Sequence, residues 1–452
     1  MVVIILGIAM SVLDGTIVNL ALPGIARDLN ASPAQSVWVV NAYQLATLAL
    51  LLPCATLGDL AGYRRVYLAG VALFTAASAA CLFATSLPML AASRAVQGLG
   101  AGGIMAVNAA LVRLTYPSDR LGRALALNSV VVATSAVAGP SIAAAILSVA
   151  SWPWLFAMNI PIGTAVFVLG WRALPHNPGP APAGVRLSWI DVALNMSMFA
   201  LVVLGADALG TRAGSSPLPG ALAAGAGLLG AGLVVGAIYL RRQWTAPIPL
   251  LPIDLLRIRV FALSIGTSIT AFAAQTLSFV ALPFLLLESY GHSPMRAGLL
   301  LTVWPLAIVL TAPVSGRLIG RYPAGLLGGL GLALLAGGLA SLAALPAHPA
   351  AADIVWRLAL CGAGFGLFQS PNNHTIVTSA PLHRAGAAGG MLGTARLTGQ
   401  TIGAVLLGVI FSVAGTRDGR GPLIALALAA GFALVASVVS VMRLRQGAGS
   451  ST

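Results

Sequence analysis

Of the ten acidic residues in this chain, Asp14 alone stands deep inside an apolar run, in Leu13-Asp14-Gly15-Thr16-Ile17-Val18-Asn19-Leu20-Ala21-Leu22-Pro23. An ionisable side chain at such a depth is costly and needs a reason. Low dielectric favours the neutral form of a carboxyl and a nearby cation favours the charged form, so the two together can make a reversible proton carrier. The natural cation is Arg94, in the run Leu90-Ala91-Ala92-Ser93-Arg94-Ala95-Val96-Gln97-Gly98. If the two helices are neighbours, its long side chain can span the axial offset to Asp14. The competing reading is a structural carboxyl bonded to an adjacent helix.

Other polar residues fall at helical spacing within apolar runs. Arg94, Gln97, Ala101, Met105 and Asn108 share one helical face. Asn19, Asn41 and Gln44 in the first two runs, Phe272 and Gln275 in a later one, Gln369, Asn372, Asn373 and His374 around Pro371, and Arg396 complete a set expected to face a substrate cavity. His374 could titrate near neutral pH; a satisfied polar side chain beside Asn373 is the plainer reading. Asp59, Gly62, Arg64 and Arg65, with Arg113, could latch helix ends in one conformation, as charge near a helix terminus does. Gly139 and Pro140 mark a bend, because proline removes one backbone hydrogen bond and glycine lets another helix lie against it.

The elements that must carry these residues follow from composition. Apolar residues make up 58% of 452 and charged residues 8%, with a mean hydropathy of +0.96, where soluble domains carry about 25% charged residues. Apolar runs long enough to cross the hydrocarbon core recur along the whole chain, without the alternation a membrane barrel needs. The fold expected is all-α and integral to the membrane. The net charge of +14 does not point to nucleic acid, since the 24 basic residues, all arginine, punctuate the apolar runs singly or in pairs. Cys54, Cys81 and Cys361 are isolated within apolar runs, so neither disulfide, metal nor cofactor is expected. The run beginning at Met1 has no basic leader and reads as a first span, not a signal peptide.

Turn residues and arginines divide the chain into fourteen expected spans, grouped six, two and six: a six-helix bundle over 1–174, a linker with two additional helices over 175–241, a linker over 242–258, and a second six-helix bundle over 259–445. With both termini in the cytoplasm, most arginines, Arg443 and Arg445 among them, fall on cytoplasmic loops or span ends. A faint echo links Leu57-Gly58-Asp59-Leu60-Ala61-Gly62 with Gly316-Arg317-Leu318-Ile319-Gly320, at matching places in the two bundles. Internal repeats with a site between halves are a transporter feature.

These residues resemble the fourteen-span drug:proton antiporters of the major facilitator superfamily over nearly the whole length. The phrase Leu13 to Pro23 is close to that family's first-span motif. Trp152-Pro153-Trp154-Leu155-Phe156-Ala157-Met158-Asn159-Ile160-Pro161-Ile162-Gly163 opens a sixth span in the family's manner. Arg94 to Gly98 looks like the proton-coupling motif, and Ser135 to Ala144 like the antiporter motif. Ala55 and Leu60 depart from the latch motif, and Ser135, Ala143 and Ala144 from the antiporter motif.

The resemblance implies a major facilitator fold, with two six-helix bundles and two additional central helices. Asp14 would take up the proton, Arg94 would couple it, and Gly139-Pro140 would favour exchange over leak. The implied activity is proton-coupled efflux of amphipathic, cationic or neutral drugs by a multi-pass monomer of the cytoplasmic (inner) membrane, with protons, the lipid bilayer and a small-molecule substrate as partners. Export of one endogenous metabolite or peptide by the same machinery is the alternative. An enzyme is not expected, since no cluster of nucleophile, base or metal ligands gathers at either membrane face.

Overall fold

In a computed structural model, residues 2–116, 118–175, 188–213, 219–245, 253–346, 348–380, 385–415 and 418–443 are described. They are almost wholly helical. The first unit, Met1–Leu251, holds α1 (Val2–Asp28), α2 (Pro33–Ser36), α3 (Trp38–Ala61), α4 (Tyr63–Leu82), α5 (Leu87–Thr115), α6 (Ser118–Val149), α7 (Trp154–Ala157), α8 (Asn159–Ala173), α9 (Trp189–Ala213) and α10 (Pro219–Thr245). The second, Pro252–Thr452, holds α11 (Ile253–Leu256), α12 (Arg259–Phe284), α13 (Pro294–Leu318), α14 (Ala324–Ala343), α15 (Ala351–Ser379), α16 (Ala385–Ala414) and α17 (Arg420–Met442).

Among the described residues, eleven helical stretches are long and apolar enough to cross a membrane. The spans expected near 88–112, 122–149 and 189–209 coincide with α5, α6 and α9, of 29, 32 and 25 residues, which are not among the eleven. Large apolar side chains such as Leu233, Val234, Leu299, Leu310 and Val435 stand exposed on the helix faces, as a lipid-covered surface requires. Cys54, Cys81 and Cys361 are free and buried.

Local chemistry sets the breaks. Ser86 and Ser293 cap α5 and α13 ahead of Pro88 and Pro294, where a missing N–H costs nothing. The α3–α4 turn reverses at Gly62 (φ +100°) and the α13–α14 turn at Gly320 (φ +86°), a backbone region glycine enters without a Cβ clash. Pro161 has no N–H to offer the Ala157 carbonyl, and the helix is interrupted at Met158, between α7 and α8.

Within each unit the same partnering recurs: α5 packs on α3 and α4, as α15 packs on α13 and α14. Glycine makes it possible. A Cβ on Gly98 would lie 2.3 Å from the Tyr43 carbonyl oxygen, and one on Gly362 would lie 2.1 Å from that of Trp304. Gly70 faces Gly100 and Gly331 faces Gly364 in the same way. The helix pair α9–α10 packs with the first unit against α3, where the buried Asn195 donates through Nδ2 to the Ala49 carbonyl at 2.8 Å.

Candidate functional site: a sealed acid and its cation

Four helices bring the site together. Asp14 comes from α1, Arg94 and Gln97 from α5, Ser78 and Cys81 from α4, and Asn159 from the first residue of α8. Asp14, Arg94 and Asn159 are each 1% exposed and Gln97 is fully buried. Arg94 Nη1 pairs with Asp14 Oδ2. Asp14 Oδ1 accepts from Gln97 Nε2 at 3.0 Å and from Asn159 Nδ2 at 2.7 Å.

The arginine is itself locked. Its Nε donates to the Val39 carbonyl at 3.1 Å and its Nη1 to Gln97 Oε1 at 2.6 Å. The guanidinium lies 4.2 Å from the Tyr43 ring centroid and 5.6 Å from that of Phe156. Tyr43 in turn donates its hydroxyl to the Ser11 carbonyl at 2.9 Å. Gln97 completes the cluster by donating to Ser78 Oγ at 2.8 Å. Cation–π contact and five hydrogen bonds, one within the pair and four to Val39, Gln97 and Asn159, compensate the loss of hydration that burying both charges entails. The arrangement surrounds the Asp14 carboxyl with one guanidinium on Oδ2 and two amide donors on Oδ1.

Other residues singled out from the sequence are placed as follows. On α5, Ala101 and Asn108 are buried and Met105 is half-buried. Asn108 Nδ2 donates to Asn128 Oδ1 at 3.0 Å, bridging α5 to α6. The side-chain oxygens of Asn19, Asn41, Gln44 and Asn108 are buried without a hydrogen-bond partner among the described residues. Gly139 packs against α1, where an added Cβ would lie 2.2 Å from Thr16 Oγ1, and α6 runs on through Pro140. In the second unit Phe272 meets Phe365 edge to face with centroids 5.4 Å apart, Gln275, Gln369, Asn373 and Arg396 are half-buried, and His374 is exposed. Among the latch residues, Arg64 Nη2 bonds the Trp171 carbonyl at the end of α8, while Arg65 and Arg113 are exposed. The Asp59 side chain lies outside the described residues.

Three features escape a reading of the sequence. Asn159 belongs to the site although 145 residues separate it from Asp14; its place just before Pro161 was the available signal. The counterparts of Arg94 and Gln97 in the second unit, four residues and one residue before Gly362, are Leu358 and Cys361, so the charge pair has no repeat there. Arg443, which the sequence places at a loop boundary, is 6% exposed. Its Nη1 donates to Ser264 Oγ and Asn372 Oδ1, each at 2.8 Å, and its Nε to the Ser440 carbonyl at 3.3 Å. Burial draws its guanidinium down to about 10, which leaves it a cation at neutral pH.

The family model of the Major Facilitator Superfamily matches residues 4–404 and 263–451. The chain belongs to that superfamily. It is 49% identical to the protein called uncharacterized transporter YebQ of Escherichia coli K12, over 98% of this chain and 94% of that one. It is 30% identical to riboflavin transporter RibZ of Clostridioides difficile, over 91% of this chain and 88% of the relative. It is also 30% identical to multidrug efflux pump LfrA of Mycolicibacterium smegmatis, over 91% and 80% of the two chains. Among solved structures, the POT family transporter PepTSo superposes with a TM-score of 0.72 at 14% identity, covering 99% of this chain and 98% of that one; this is a likeness of fold. As a member of a transporter superfamily with many apolar helices, the chain is a multi-pass membrane transport protein.

Proposed function

We propose that this superfamily member exports amphipathic, cationic or neutral small molecules in exchange for protons, and that Asp14 is the group that takes up the proton. The observation that carries the reading is the buried Asp14–Arg94 pair, braced by Gln97 and Asn159. A sealed charge pair costs several kcal/mol to assemble in low dielectric, and replacing it with apolar side chains is often no loss of stability. Its presence inside a helical unit is therefore best explained by use. Proton binding at Asp14 would weaken its hold on Arg94 and on the two amides at once, so one chemical event would loosen α1 from both α5 and α8.

In this reading α5, α6 and α9 also cross the bilayer, giving fourteen spans, with both termini in the cytoplasm and the chain in the cytoplasmic membrane. Asn19, Asn41, Gln44 and Asn108, whose oxygens have no partner among the described residues, would contact the substrate, and the α3–α4 turn would serve as the latch.

The test uses purified protein in proteoliposomes, with ethidium as a cationic amphipathic probe and an imposed pH gradient. Gradient-driven ethidium movement that is lost in Asp14→Asn is expected; absence of movement in the wild type defeats the drug-export reading. A second reading, export of a single compound, is favoured by relatives whose names specify one, RibZ and the tetracenomycin C resistance and export protein of Streptomyces glaucescens. Susceptibility of an efflux-deficient host to a panel of compounds separates the two, since one protected compound among many supports the second.

A further inference from the structure

Asp14 is gripped by three donors, and they are not equally tied. Arg94 is also held by the Val39 carbonyl, by Gln97 and by the Tyr43 ring. Gln97 is also held by Ser78 and Arg94. The Asn159 amide has its hydrogen bond to Asp14 Oδ1 at 2.7 Å and, among the described residues, no second hydrogen bond to the cluster's side chains. If the carboxyl takes up a proton on Oδ1, that oxygen can no longer accept from both amides, and the donor with least to restrain it is Asn159.

Its position makes that release consequential. The buried face of α8 is Asn159, Gly163, Val166 and Gly170, one helical stripe. Gly163 lies so close to α4 that an added Cβ would be 2.0 Å from Thr75 Oγ1, and Gly170 packs on Leu68 and Val3. Glycine and valine give a smooth surface with no directional bonds, so Asn159 is the polar grip on this face. It sits directly after the interruption at Met158 that Pro161 enforces, where a helix can pivot without breaking an internal ladder.

We propose that Asn159 is a positioning residue that sets the proton affinity of Asp14 and ties the α7–α8 break to its charge state. The ionised carboxyl anchors the first turn of α8 through the Asn159 amide, and protonation lets that turn go. This rests on the reading of Asp14 as the proton acceptor. The titratable groups facing Asp14 are Arg94 from α5, Cys81 from α4 and Tyr43 from α3; the parts of α6, α7 and α8 near it carry none.

Infrared titration of the reconstituted protein reads the protonated carboxyl directly, and the band missing from Asp14→Asn belongs to Asp14. In Asn159→Leu, which keeps the branching at Cγ but is bulkier, the midpoint of that band should move up by about one to two pH units, because a donor to the ionised form is gone. Asn159→Ala should move it the same way and serves if the leucine variant does not fold. Hydrogen exchange of the backbone amides of Ile160, Ile162, Gly163 and Thr164 should rise as the wild type is acidified and lose that dependence in both variants. A folded Asn159 variant with the wild-type midpoint overturns the proposal and leaves proton uptake at Asp14 standing. A titrating band that persists unchanged in Asp14→Asn overturns both.

Discussion

Arg443 Nη1 donates to Asn372 Oδ1 at 2.8 Å, joining the end of α17 to the last third of α15 in a buried setting. Among the described residues, every hydrogen-bond acceptor of this guanidinium is neutral: Asn372, Ser264 and Ser440. A buried cation so held depends on each acceptor, while its removal relieves a desolvation cost. Asn372→Leu is therefore expected to destabilise the protein by about 2 kcal/mol, and Arg443→Met by less. The double variant should recover part of the loss, a coupling of about 1 kcal/mol. Thermal unfolding of the three variants in detergent measures it; simple additivity would show that the contact does no energetic work.

Arg94→Lys tests whether charge alone suffices at the site. Lysine keeps the cation but has one nitrogen in place of three, so it cannot bond Val39, Asp14 and Gln97 together while stacking on Tyr43. Transport driven by a pH gradient should fall by about tenfold or more, equivalent to roughly 1.4 kcal/mol. Uptake by proteoliposomes at matched protein density is the measurement, and near-wild-type rates would reduce Arg94 to a point charge.

Glycine positions give a pair of identical substitutions with opposite signs. At Gly98 a Cβ would meet the Tyr43 carbonyl at 2.3 Å and Ala46 Cβ at 3.0 Å, both on a packed helix that cannot yield cheaply. Gly98→Ala is expected to cost about 1–3 kcal/mol. At Gly24, in α1, nothing lies within 4 Å, and Gly24→Ala should stabilise by roughly 0.5–1 kcal/mol through helix propensity. Comparing the two unfolding temperatures decides whether the α3–α5 approach is as tight as the geometry says.

Beyond the end of α12, burial and then Arg296 hold the half-buried His292 imidazole below its ordinary range. The sign follows: as pH falls, the unfolded chain takes up this proton before the folded one, so stability declines through the normal imidazole range, near pH ~6.5. His292→Gln should flatten the decline in unfolding temperature between about pH 7 and pH 5. The change should be small, since the ring keeps contact with solvent. An unchanged slope would assign the acid sensitivity elsewhere.

The amino-acid sequence by itself determined that the chain is a set of apolar helices, because a run such as Val2–Asp28 has no alternative that satisfies its backbone in lipid. It also singled out Asp14 and Arg94, since an ionisable group inside such a run is expensive wherever its helix lies. Tertiary structure alone decided which side chains surround them. Whether Asn159 reaches Asp14 depends on how α8 is turned and where it crosses α1, and that is fixed by glycines on α8 meeting α4. Arg443 shows the limit most plainly: its neighbours in sequence mark a helix end, yet Ser264 and Asn372, 179 and 71 residues away, enclose it. Depth along a helix can be counted from the residues, but the direction a side chain faces acquires meaning only when distant helices pack beside it.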